Sequence, residues 1–233
     1  GISYEKQYEF ELDVSLWQYG FPLSLAFERS NPLVIDLDNN GEKEIIVGDK
    51  HGVVHIFNIN GIEVQDNNFP FETGGTIWGS PAAADMDGDG LTDFVITSKL
   101  AKHPENTLEA YSELYIFDQN GLKTDVNVDK YLVGTPAIGN LDDDSGLEVV
   151  FCSYGPGIGN GVWAINPDGS VVNGFPIDIT PEKVRAGVAL ADFNGNGRDD
   201  IVFGTDDGKL HLYYDDGTIA SGFPFTTATG DKI

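Results

Sequence analysis

One acidic loop is written four times in this chain: DLDNNGEKE from Asp36, DMDGDGLTD from Asp85, NLDDDSGLE from Asn140 and DFNGNGRDD from Asp192. Loop positions 1, 3, 5 and 9 carry side-chain oxygens every time, which is the ligand chemistry of calcium. The candidate side-chain ligands are Asp36, Asp38, Asn40 and Glu44; Asp85, Asp87, Asp89 and Asp93; Asn140, Asp142, Asp144 and Glu148; and Asp192, Asn194, Asn196 and Asp200. Position 2 is apolar throughout (Leu37, Met86, Leu141, Phe193), and the residues after position 9 read IIVG, FVIT, VVFC and IVFG, which are strand-like. An EF-hand would need a Glu at position 12 and flanking helices. Position 12 here is Val47, Ile96, Phe151 and Phe203, so each loop belongs in a β-hairpin instead.

The loops begin at residues 36, 85, 140 and 192, and a period of roughly fifty residues signals an array of supersecondary units, a propeller or a solenoid. Each unit runs from an Ala/Gly-rich approach (SPAAAD, TPAIGN) through the acidic loop to a β-branched strand and an aromatic strand (VVHIFN, LYIFDQ). An Asn/Asp-Gly turn and a further extended segment follow. That content predicts an all-β fold: a β-propeller of four-stranded antiparallel blades. Small residues in the first strand suit blades that converge on an axis.

The loops and strand pattern, from about residue 21 to residue 225, resemble the FG-GAP or VCBS-type repeats of integrin α-chain propellers and of many secreted bacterial proteins. The resemblance implies a backbone carbonyl ligand at position 7, which falls on Glu42, Leu91, Gly146 and Arg198, and up to four Ca²⁺ ions. Departures are the Asn at position 1 of the third loop, Ser145 in place of Gly, and the two Asn of the fourth loop. Counting ligand carboxylates makes the second loop the tightest expected site and the fourth the weakest.

The expected organisation is one propeller region over residues 1–233: an N-terminal strand segment at 1–20, and repeats at about 21–68, 69–122, 123–174 and 175–225. Residues 226–233 form a tail or begin a further blade. The C-terminal GFPFTTATGDKI matches the segment that leads into a new repeat. This predicts part of a larger propeller, or self-assembly that completes one. The alternative is a closed four-bladed ring in which residues 4–14 add an outer strand. The net charge of −25 sets this chain against nucleic acid, and no apolar run is long enough for a membrane-spanning helix. Cys152 lies in the apolar run VVFCS and reads as a small buried hydrophobe.

No nucleophile, zinc or phosphate motif is present, and His55, Tyr115, Trp163 and His211 share one slot of the third strand that prefers a flat ring. No enzyme is therefore expected. Strand parity puts the loops that recognise a ligand on the face opposite the acidic loops. That face collects the residues seven before each loop (Arg29, Trp78, Val133, Arg185), the insertion from Ser98 to Ser112 with His103, and the excursion SYGPGIGN. Arg29, Trp78, Arg185 and His103 are the candidate ligand-binding residues. The expected function is a secreted or surface-displayed, calcium-stabilised binding or adhesion module for a protein or glycan. Alternatives are a polysaccharide-degrading, lyase-like propeller or its ancillary domain, and a structural subunit of a surface assembly.

Overall fold

A computed structural model describes residues 20–26, 29–100, 112–128, 130–155 and 160–227. Trp17, His103, the strand expected over residues 4–14, most of the 98–112 insertion, residues 156–159 and the tail from residue 228 lie outside the described residues. Among the described residues every regular element is a β-strand, and the strands form four antiparallel sheets.

The first sheet orders β1 (Leu33–Ile35), β2 (Glu44–Gly48), β3 (Val53–Phe57) and β4 (Phe71–Glu72). In the second, β5 (Gly75–Ile77) and β6 (Ala82–Ala84) both pair with β7 (Asp93–Leu100), followed by β8 (Ser112–Asp118) and β9 (Gly121–Val128). The third repeats this with β10 (Tyr131–Leu132) and β11 (Ala137–Gly139) on β12 (Glu148–Tyr154), then β13 (Gly161–Ile165) and β14 (Ile177–Asp178). The fourth orders β15 (Ala189–Ala191), β16 (Asp200–Gly204), β17 (Lys209–Tyr213) and β18 (Phe225–Thr226).

Register repeats from sheet to sheet. The shared aromatic slot is confirmed by the pairs Val47 with His55, Ile96 with Tyr115, Phe151 with Trp163 and Phe203 with His211. The second strand of each sheet is covered on both faces, which is why it reads as an unbroken β-branched and aromatic run; in β12 six of the seven residues are buried. Three cores lie between successive sheets. Ile46, Ile56, Phe94 and Phe117 join the first to the second, Val95, Ile116, Val149 and Phe151 the second to the third, and Val150, Val162, Ile201 and Phe203 the third to the fourth. Cys152 is buried in the last of these, as expected.

Antiparallel pairing sends the acidic loops, which leave the first strand, to one end of every sheet and the turns between second and third strands to the other. The innermost strand of the second and third sheets is interrupted near that other end, at 78–81 between β5 and β6 and at 133–136 between β10 and β11.

Candidate functional site

The four acidic loops share one hydrogen-bond scheme. The position-2 amide donates to the position-9 carboxylate in each: Leu37 to Glu44 (2.9 Å), Met86 to Asp93 (3.0 Å), Leu141 to Glu148 (2.5 Å) and Phe193 to Asp200 (2.8 Å). The position-7 amide donates to the position-5 side chain, at 2.7, 2.8, 2.6 and 2.8 Å. In three loops the position-6 glycine donates to the position-1 carboxylate and adopts positive φ (Gly41 90°, Gly90 86°, Gly197 88°). Only glycine does so without strain. Ser145 takes that place in the third loop, where neither the positive φ nor the bond occurs.

In the first and third loops this scheme leaves ligand oxygens without a donor. Three such atoms are buried with no hydrogen-bond partner among the described residues: Asp36 Oδ1 in the first loop, and Asn140 Oδ1 and Glu148 Oε1 in the third. Buried acceptors without donors are costly, and a bound cation satisfies them. Carboxylate oxygens also converge within 4.8 Å in three groups: Asp36, Asp38 and Glu44; Asp85, Asp87 and Asp89; and Asp142, Asp144 and Glu148. Burial raises the pKa of Glu44, and pushes that of the fully buried Glu148 up to about 7, with Asp142 and Asp144 adding to the effect. The donor set is all oxygen and anionic, so it fits a hard divalent cation such as Ca²⁺.

The second and fourth loops differ. In the second, the Lys123 ammonium sits 2.8 Å from both Asp87 Oδ2 and Asp93 Oδ1. Burial opposes its charge, but the two carboxylates prevail and hold its pKa above the ordinary value, while its hydrogen bond lowers that of Asp87. Asp93 itself is raised by burial. In the fourth loop, Arg198 Nε lies 2.7 Å from Asp215 Oδ2 and its Nη1 lies 2.8 Å from Asp143 Oδ1, while the Asn194 amide turns onto Asp200. The loops are also wired in series, since the Asn39 side chain donates to Gly90 O, Leu147 N–H to Met86 O and Asp199 N–H to Asn140 O. Carboxylate counting singles out the second loop, whereas atoms left without partners single out the first and third.

At the other end of the innermost strands, Arg29, Trp78, Val133 and Arg185 line one hollow of about 230 Å³. Strand parity brings these four together. The floor is backbone: a Cβ on Gly134 would meet Ala186 O at 2.2 Å, and one on Gly79 would meet Gly134 O at 2.5 Å. Arg29 stacks over Trp78 (4.6 Å), Lys99 lies over both Trp78 (4.0 Å) and Tyr131 (5.0 Å), and Arg185 lies over Tyr154 (5.1 Å) while pairing with Asp206 (2.9 Å). Sequence reasoning placed Lys99 and Tyr154 on this face only as parts of the Ser98–Ser112 insertion and the SYGPGIGN excursion, and it missed Tyr131, which lies in the two-residue β10 and carries no motif.

The ring slot holds more than packing in two sheets. His211 is stacked on Phe203 at 4.9 Å with Nε2 2.6 Å from Glu182, and His55 Nδ1 lies 2.5 Å from Glu63.

The family model described as FG-GAP-like repeat matches residues 36–96, which span the first two acidic loops. Those residues are FG-GAP-like repeat sequence. No curated protein matches the chain. Two crystal structures of BBS1N in complex with ARL6DN, soaked with lead and with mercury, superpose on it with TM-scores of 0.57 and 0.56 at 14% and 12% identity. They cover 88% and 84% of this chain, which spans 59% and 57% of theirs. The likeness is one of fold: a β-propeller built of four-stranded antiparallel blades.

Proposed function

We propose that this FG-GAP propeller is a calcium-stabilised extracellular binding module that recognises a protein or glycan partner through the face opposite its acidic loops. The observation that carries this reading is the separation of two kinds of chemistry. Acidic-loop oxygens without partners lie at one end, and Arg29, Lys99 and Arg185 on aromatic rings gather round a hollow at the other. In a chain of net charge −25, such a local concentration of cations offers a docking point for an anionic group. The hollow lies below the about 300–1,000 Å³ of small-molecule sites, which suits one side chain or one sugar acid of a larger partner. Millimolar calcium outside cells suits loops that depend on the ion. BBS1N is itself described in complex with a protein, which favours a protein partner.

Arrays of glycans and of proteins probed with the calcium-loaded chain test this. Binding lost in Arg29→Ala and Trp78→Ala supports the hollow, and binding unchanged in both removes it. The surroundings of the hollow also favour a second reading, a lyase-like activity on a uronate polysaccharide. Lys99, Tyr131 and Tyr154 supply groups of the type that move a proton beside a sugar carboxylate. Appearance of unsaturated ends on such a polymer would decide for it.

A further inference from the structure

The fourth strand of the second sheet differs from its three counterparts. In the other sheets this strand opens with a single bridge, Phe57 to Glu63, Ile165 to Val171 and Tyr213 to Ile219. The next residue then bonds straight back to the third strand: Val64 to Ile56, Val172 to Ala164 and Ala220 to Leu212. In the second sheet Phe117 faces Leu122 and Ile116 faces Thr124, so Lys123, which stands at the repeat position of Glu63, Val171 and Ile219, falls in a β-bulge where they form the bridge. Bulges re-aim side chains, and this one delivers an ammonium to Asp87 and Asp93, positions 3 and 9 of the second loop, at 2.8 Å each. Asp93 is 1% exposed, so its charge needs a partner that water does not supply.

We propose that Lys123 is a tethered cation that competes with calcium for the second loop, so that the first and third loops take the ion ahead of the loop with the most carboxylates. This rests on the calcium reading above. Three observations on the described residues support it: a bulge at the repeat position that holds the lysine, the lysine bridging two ligand positions, and buried unpartnered ligand oxygens only in loops without such a cation. Calcium arriving at the second loop must displace the ammonium. Replacing two charge-assisted contacts, one of them to a buried carboxylate, lowers apparent affinity by on the order of 10- to 100-fold.

The test is calorimetric calcium titration of the ion-stripped chain as wild type, Lys123→Met and Lys123→Arg. Lys123→Met is expected to tighten one binding step by that factor, leaving the other steps in place, while Lys123→Arg, which keeps the charge, stays near wild type. Equal affinities in wild type and Lys123→Met overturn the proposal and leave the calcium reading standing. Absence of calcium uptake by all three overturns both. Should Lys123→Met not fold without metal, acetylation of Lys123 in the wild type gives the answer: calcium is expected to speed it by releasing the ammonium, and an unchanged or slower rate refutes the competition.

Discussion

Replacing Glu148 by Gln separates the cost of the third loop from its purpose. Glu148 is fully buried, and burial lifts its pKa from the ordinary 4.5 to about 7. Because the folded chain holds this proton more tightly than the unfolded one, metal-free stability is greatest below 4.5 and falls as pH rises through about 7. At about 1.4 kcal/mol for each tenfold change in proton binding, the charged form costs the metal-free fold about 3 kcal/mol above that range. The Leu141 amide, now 2.5 Å from Oε2, can still donate to a Gln oxygen, so Glu148→Gln removes the charge and keeps the bond. In chelator at pH 8 the variant should therefore melt about 6–12 °C above wild type, and the gap should close near pH 4. With calcium the gap narrows. The wild type gains about 2.7 kcal/mol from one site when the ion is a hundredfold above its dissociation constant, and the variant, short of an anionic ligand, gains less. Scanning calorimetry at the two pH values, with chelator and with calcium, reads all four cases. A variant less stable than wild type in chelator at pH 8, or equal stabilisation of both by calcium, would refute the reasoning.

Gly134→Ala puts a Cβ 2.2 Å from Ala186 O, so the floor of the hollow must shift; a loss of about 1–3 kcal/mol in urea unfolding is expected, with weaker partner binding than Val133→Ala causes. Phe94→Ala empties a fully buried position between the first two sheets and should cost about 3–5 kcal/mol by the same assay. Burial pushes the Cys152 thiol pKa well up, so a thiol-reactive dye should label it only after unfolding; labelling at native rates typical of exposed thiols would contradict its place in the core.

Much of the fold was legible because each repeat states the same thing in residues whose reasons are local. Glycine at position 6 in three of the four loops, an apolar residue at position 2 and a β-branched or aromatic run after position 9 fix the loop and the strand whatever surrounds them. Strand parity then predicted that Arg29, Trp78, Val133 and Arg185 meet, and they do. What sequence could not rank was the loops themselves. Carboxylates can be counted from sequence, but the cation that neutralises those of the second loop comes from elsewhere in the chain, Lys123 from a bulge thirty residues after Asp93. The third loop looked doubtful for its Asn140 and Ser145, yet its burial leaves two oxygens waiting, Asn140 Oδ1 and Glu148 Oε1. Lys99 was not singled out within the Ser98–Ser112 insertion for a similar reason, since its ring partners Trp78 and Tyr131 belong to two different sheets.

The direct test of calcium as the missing partner of Asp36, Asn140 and Glu148 is titration of the ion-stripped chain with Ca²⁺ in a calorimeter, repeated on a double variant, Asp36→Ala with Glu148→Ala. The wild type is expected to show its tightest uptake at the first and third loops, and the double variant to lose those steps. Wild-type protein that takes up no calcium, or a double variant that binds it as tightly as wild type, would contradict the account.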